Sequence, residues 1–445
     1  MQHSNEQSNH FVRNIFAAAT AVGALLAPTL PFTSGETREV SAAAPMPEDR
    51  VCHSELVRDA GGLYRLVEIC EEVPDYTPPT LPDFPKPERI KAKGSRCVPI
   101  TMPNVGQYKV NLNLAVADPS AAGYATVYKP GADPTKTASI NYAKGETKSN
   151  GAQVEVDAEM VEGKPTGAIC VYTYSETDII LDIGSYSSVD STQSAGEDGA
   201  AVRIFDSREK NSFTSGEPVK AGQTVCMDVG HPGQLAIVNA AVDNPAKAGY
   251  LTIHNSAANP TATANANFAA GETTSNSASV IVGEDGKLCA TPSVATDVIL
   301  DLSVFMLPDS FKPFNEQGNA VRLVDSRTLG PKVPAGQMLC FETGEPNSFV
   351  DLNVAVTEPE KAGFFNVHIN GEPWGTTSSG NYSADETTSN RVIARTDSEG
   401  KACVTSYQPT HIVVDANVAY QGDSVKSFPF SFVRRILDSR TDPVY

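Results

Sequence analysis

Beyond residue 90 the chain is a succession of short apolar runs, rich in β-branched and aromatic residues and broken every few positions by Gly, Pro, Asn or Asp. "VDLNVAV" from Val350, "GFFNVHI" from Gly363 and "HIVVDANVAY" from His411 are typical. Such runs predict strands, and turn signals such as "GEDGK" and "SEGK" predict hairpins between them. No stretch after residue 90 keeps a 3.6-residue apolar period for three turns, so parallel sheets with crossover helices are excluded. The expected fold class is all-β: three tandem antiparallel β-sandwich modules, each with about seven or eight short strands.

The threefold count comes from internal repetition. "NLAVADPSAAGYATVY" from Asn113 returns as "NAAVDNPAKAGYLTIH" from Asn239 and "NVAVTEPEKAGFFNVH" from Asn353. "NYAKGETKSN" from Asn141 returns from Asn267 and Asn381, and "TDIILDIGSY" from Thr177 returns from Thr296 and Thr410. "AVRIFDSRE" from Ala201 is matched by "AVRLVDSRT" from Ala320 and "VRRILDSRT" from Val433. Repeats of about 115 residues are therefore placed at 91–210, 211–329 and 330–445. Whether the Asp-Ser-Arg strand closes its own repeat or opens the next stays open at this point. Ahead of them, residues 73–90 hold six prolines between Val73 and Glu88, which favours a semi-rigid polyproline spacer.

Residues 1–43 read as an export signal: Arg13 precedes the apolar run Ile15–Ala27, and "SAAAP" offers a cleavage site near Ala43 or Ala44. That run is too short for a membrane span, which needs about 20 residues. Eight cysteines fit this address. Cys52 and Cys70 share the short segment 44–72, while Cys97 and Cys170, Cys226 and Cys289, and Cys340 and Cys403 recur once per repeat, predicting four disulfides. Clustered Cys/His spacing for zinc is missing. A net charge of -19 argues against nucleic acid or an anionic membrane as partner.

Candidate chemistry is sparse. If the Asp-Ser-Arg segment is a strand, alternation puts Ile204, Asp206 and Arg208 on one face and Arg203, Phe205 and Ser207 on the other. A serine beside Asp and Arg lacks an activating base, so Arg203, Asp206, Arg208, Arg322, Asp325, Arg327, Arg435, Asp438 and Arg440 are expected to form a structural polar network. Asn113, Asn239 and Asn353, with Asp182, Asp301 and Asp415, lie inside apolar strands and must be hydrogen-bonded there. Glu146, Glu272 and Glu386 read as turn or edge residues. No Asp-x-Asp-x-Asp-Gly calcium loop occurs. His254 and His368 fall where the first repeat has Tyr128, which suggests half-exposed strand positions. Trp374, in "NGEPWGTTSSGN", is the one tryptophan and a candidate ligand contact, able to stack on sugar. No catalytic, cofactor-binding or metal-ligating residue is expected.

The linked blocks "NLAVADPSAAGYATVY", "NYAKGETKSN", "TDIILDIGSY" and "RIFDSR" resemble a repeat β-module of exported actinobacterial proteins, often an accessory module of secreted hydrolases. The resemblance covers roughly residues 97–440 and implies a non-catalytic accessory. Residues 45–90 are too few to make a catalytic domain, so none is expected beside the modules in this sequence. The expectation is a secreted or cell-surface repeat protein with a binding, adhesive or structural role. Its expected partner is cell-wall polysaccharide or another extracellular protein, met through multivalent weak contacts. A secreted hydrolase and a lectin-like carbohydrate binder are the alternatives.

Overall fold

Alternating apolar residues need a second apolar surface to cover them, and in the second and third repeats of the computed structural model each sheet finds one in a facing sheet. Described are residues 50–58, 64–72, 88–196, 199–210, 214–255, 263–316, 318–370, 377–428 and 433–440. The expected signal segment, most of the proline-rich spacer, the side chains of Cys52 and Cys70, and Trp374 lie outside them. Arg50–Arg58 and Tyr64–Glu72 form a two-stranded antiparallel hairpin with Cys52 opposite Cys70 in register. This hairpin belongs to a different unit from Pro85–Val444.

Within that larger unit the fold is all-β, and every strand pair is antiparallel. In the second repeat Asp297–Met306, Leu235–Asp243 and Thr274–Ile281 form one sheet. Val225–Asp228, Lys287–Pro292, Gly249–Asn255 and Ala266–Phe268 form the sheet that faces it. Val238, Val242, Leu251, Phe268, Leu288 and Leu300 fill the space between. The third repeat repeats the plan with His411–Tyr420, Phe349–Thr357 and Thr388–Arg395 against Met338–Glu342, Lys401–Ser406, Gly363–Ile369 and Gly380–Tyr382. In the first repeat Asp178–Ser188, Gly106–Ala117 and Lys148–Val161 face Gly94–Thr101, Lys164–Thr173, Gly123–Tyr128 and Ile140–Tyr142. There the hairpin between Val161 and Lys164 joins the two sheets into one.

No repeat completes its own sheet. The strand Val202–Asp206, which carries the first Asp-Ser-Arg segment, pairs with Asp297–Met306 of the second repeat. Val321–Asp325 pairs with His411–Tyr420 of the third. Arg434–Asp438, from the last described segment, returns to pair with Asp178–Ser188 of the first. The Asp-Ser-Arg strand thus opens the following repeat, and the final copy closes a ring.

Each such strand also carries a bulge, at Ile204, Leu323 and Ile436, where the pairing register shifts. A bulge reverses the alternation beyond it. Arg203 and Asp206, expected on opposite faces, consequently meet on the same one.

Three disulfides, Cys97–Cys170, Cys226–Cys289 and Cys340–Cys403, link directly opposed residues of paired strands. Closing loops of 63 to 73 residues stabilises each by about 4 kcal/mol on the chain-entropy account. Among the described residues no helix is long and apolar enough to cross a membrane.

Candidate functional site

The recurring Arg, Asp and Ser side chains form one clamp, repeated three times. Asp182, Asp301 and Asp415 are almost wholly buried, so each carboxylate must be met by a cation. Arg435 supplies it for Asp182 through Nε and Nη2 at 2.8 and 3.1 Å. Arg203 grips Asp301 in the same bidentate way at 2.5 and 3.1 Å, and Arg322 grips Asp415. The third guanidinium nitrogen of each reaches Asp438, Asp206 or Asp325. Those carboxylates are held on their other side by Arg440, Arg208 and Arg327.

The serines finish the clamp. Ser207 donates to Asp297 at 2.7 Å and accepts the Val298 N–H at 3.0 Å; Ser439 does the same with Asp178 and Ile179. Burial pushes the Asp182, Asp301 and Asp415 carboxyls up, against the pull of their arginines. Asp325, gripped directly by Arg327, is instead held down at about 2. The motif's hydrogen bonds thus hold strands together.

A second set of contacts joins the repeats in a circle. Asn150 of the first repeat donates to Asn239 of the second at 2.9 Å and accepts the Ser277 N–H at 2.8 Å. Asn276 of the second does the same to Asn353 and Arg391 of the third. Asn390 of the third closes the circle on Asn113 and Gly151 of the first. Asn239, Asn353 and Asn113 each donate on to a backbone carbonyl of the repeat before, at Ala138, Ala264 and Ser378. At Gly151 the backbone comes so close to the Arg391 carbonyl that a Cβ would collide with it.

Where the three repeats converge, one carboxylate oxygen from each of Glu146, Glu272 and Glu386 lies within 4.8 Å of the others. Each glutamate also caps its own turn, accepting the N–H of Ala143, Ala269 or Ser383. The cation among them is Lys148, 3 % exposed, with Nζ 2.7 Å from Glu272 and 3.2 Å from Glu146. Burial works to lower its pKa, but the three carboxylates outweigh this and raise it. Burial raises the Glu386 carboxyl. The second and third repeats have Thr274 and Thr388 at the lysine's position.

Two further clusters occur once each. At the boundary of the second and third repeats, buried Asp351 accepts from Arg391, Tyr420, Asn417 and Ser279. At the boundary of the first and second, Lys109 Nζ lies 2.7 Å from both Glu155 and Ser194, and Lys129 reaches the other Glu155 oxygen at 2.7 Å. Lys109, Lys129 and Glu155 border a cavity of about 50 Å³ that also meets Tyr128, Gln153, Asn239 and Ser303. Its counterpart one boundary on has Leu235 and Ile281 where Lys109 and Glu155 stand, and is only about 10 Å³. The Gln153 Oε1 is buried without a hydrogen-bond partner.

A lysine beside a serine is one way to activate a nucleophile. Here Glu155 opposes that use. Burial raises its carboxyl, yet hydrogen bonds from Lys109, Lys129 and Ser194 outweigh this and hold it at about 2. Burial lowers the Lys109 pKa against the smaller opposing pull of Glu155 at 2.7 Å; while that ion pair holds, the ammonium has no lone pair to take a proton.

His254 and His368, expected to be half-exposed, are buried. Nδ1 of each lies near a backbone carbonyl and Nε2 near Thr291 or Thr405 at 2.9 Å. A Nδ1–H tautomer satisfies both contacts, which is why an imidazole is accommodated there. Spacing gave Asn113, Asn239, Asn353 and the Arg/Asp set. The Lys148 site was visible only as the single lysine in "GETKSN", and nothing in the repeat pattern flagged Lys109 or Glu155.

No family model and no curated protein matches the chain. Among solved structures it is similar to one described as the triple jelly roll fold and turret assembly in an archaeal virus. That likeness has 12% identity and a TM-score of 0.17, covering 83% of this chain and 90% of that one. It is also similar to the crystal structure of the STIV MCP, at 6% identity and a TM-score of 0.20 over 46% of this chain and 93% of that one. A third likeness is to the atomic structure of Sulfolobus Turreted Icosahedral Virus, at 12% identity and a TM-score of 0.17 over 84% and 89%. TM-scores this low carry no argument about the chain.

Two outcomes follow from these contacts. Gly151→Ala forces the first and third repeats apart and should cost about 1–3 kcal/mol in urea unfolding, as overpacking does. Glu155 has a folded pKa of about 2 against an ordinary 4.5, so its stabilising contribution is complete above pH 4.5 and fades as pH falls toward 2. The stability gap between the native protein and Glu155→Gln, measured by denaturation at each pH, should therefore narrow over that interval. At neutral pH, breaking this buried pair should cost about 3–5 kcal/mol.

Proposed function

We propose that this is a secreted or cell-surface protein of three tandem antiparallel β-sandwich modules, each of about 115 residues. In this reading it has no chemistry of its own and serves a binding, adhesive or structural role. The observation that carries the proposal is the fate of the triplicate polar residues. Arg203, Asp206 and Asp301 with their counterparts bond one another, and Asn113, Asn239 and Asn353 bond the neighbouring repeat. The disulfides are consistent with an extracellular address. The acidic chain suits a neutral polysaccharide or a protein surface better than a polyanion. The resemblance to accessory modules of exported actinobacterial proteins supports the same role, with cell-wall polysaccharide as the first partner to try.

A second reading, a secreted hydrolase, draws on the single-copy Lys109–Ser194 contact. One experiment separates the two. Purified mature protein is offered isolated cell walls and a glycan panel, while a broad hydrolase screen runs on the native protein, Ser194→Ala and Lys109→Met. Retention on walls or glycans without turnover is expected from all three proteins that remain folded. Turnover by the native protein that disappears in Ser194→Ala, with the fold preserved by circular dichroism, defeats the non-catalytic reading.

A further inference from the structure

Two of the three Asp-Ser-Arg strands enter their sheets from the chain immediately upstream. The third does not. Arg434–Asp438 fills a slot on Asp178–Ser188 that lies about 250 residues earlier, through contacts between residues 253 and 261 positions apart. The slot has three readable features: the buried Asp182 carboxylate for Arg435, Asp178 for the Ser439 hydroxyl, and the Ile179 N–H for the Ser439 oxygen.

The same features recur at Asp301, Asp297 and Val298 for Arg203 and Ser207. The slot therefore recognises an Arg-x-x-Asp-Ser-Arg strand by side chains that every copy of the chain carries, and because Lys426–Ser427 pairs with Ser185 and Tyr186 on the same edge, a second copy would supply that strand together with its tail. Empty, it would expose a strand edge and strand the Asp182 charge without a partner. A tail of some source is thus strongly favoured.

We propose that the Asp178–Ser188 edge is also an intermolecular docking site, taking the C-terminal Asp-Ser-Arg strand of a second copy of this chain. Donated strands then join copies, and the closed monomer is the intramolecular alternative. Such an exchange is low in cost because every contact of the closed form is remade in the open one. Closure wins at low protein concentration, since the tether gives the tail an effective concentration in the millimolar range. The proposal does not depend on the functional reading: a strictly monomeric protein that binds cell walls would leave that reading intact.

The test uses full-length chains with complementary charge reversals. A chain with Asp182→Arg opposes its own tail with two guanidinium groups, and a chain with Arg435→Asp opposes its own slot with two carboxylates. Refolded together under oxidising conditions, each chain's slot matches the other's tail, so a reciprocal pair can form with both clamps satisfied. The expected result is an about twofold rise in mass by light scattering on mixing, as a closed two-copy exchange requires. Neither variant should give that rise alone.

A second arm needs no variant. Native protein in two fluorescent colours, refolded together at about millimolar concentration, should show energy transfer that is lost on refolding at about micromolar concentration, following the effective-concentration argument. Variants that stay monomeric when mixed, or that stay as unfolded together as apart, overturn the proposal. So does native protein that shows no transfer at the higher concentration.

Discussion

A carboxylate taken out of water must be matched by a cation, and for the three recurring aspartates the match comes from the neighbouring repeat. Asp182, Asp301 and Asp415 sit deep in central strands, and the guanidinium that satisfies each arrives on an edge strand contributed by the preceding repeat. A lone buried charge is costly, and a two-point guanidinium grip is the geometry that best offsets it. Each repeat is therefore incomplete in electrostatics as well as in strand pairing. The repeats are not beads on a string: each takes an edge strand and the cation for its buried aspartate from its neighbour.

The asparagine circle follows from the same arrangement. Strands that would show one face to water in an isolated sandwich are buried on both faces here: of Leu235–Asp243 only the terminal Asp243 is not buried. Their outward face meets the neighbouring repeat and not solvent, so its polar groups have to be satisfied across the boundary. Asn offers a donor and an acceptor on one short side chain. Asn150, Asn276 and Asn390 each use both, giving to an asparagine and taking a backbone N–H. This makes the boundaries directional, and direction is what allows three of them to close.

Strand content, the antiparallel all-β class and three of the disulfide pairs were legible in the sequence because each depends on local pattern or on regular spacing. The recurring Asn113, Asn239 and Asn353 were legible as buried polar residues for the same reason. What could not be read was the partner. Arg203 looked committed to one strand face and Asp206 to the other until the bulge at Ile204 brought them together, and bulges leave no mark in an apolar alternation. The half-exposed expectation for His254 and His368 failed because a second buried hydroxyl, Thr291 or Thr405, was waiting for the imidazole. Crossing of the Asp-Ser-Arg strand into the next repeat was equally silent, since both placements satisfy the same sequence.

Departures from the repeat are then the informative part of the sequence. Three glutamates must converge wherever three copies of the same capped turn meet, because each caps its own turn before it faces the others. Three lysines beside them would replace mutual repulsion of carboxylates with mutual repulsion of ammonium groups. Three threonines would leave the carboxylates uncompensated. A single lysine, at Lys148 and not at Thr274 or Thr388, places one cation where the carboxylates meet without setting a second beside it. Ionisation is least favoured at the carboxyl with no hydrogen bond to that cation. Lys148 hydrogen-bonds Glu146 and Glu272, whereas Glu386 receives only its longer-range attraction, and burial raises that carboxyl. A ring assembled from like copies thus has to break its own symmetry at the point where they meet, and it does so by one residue in one copy.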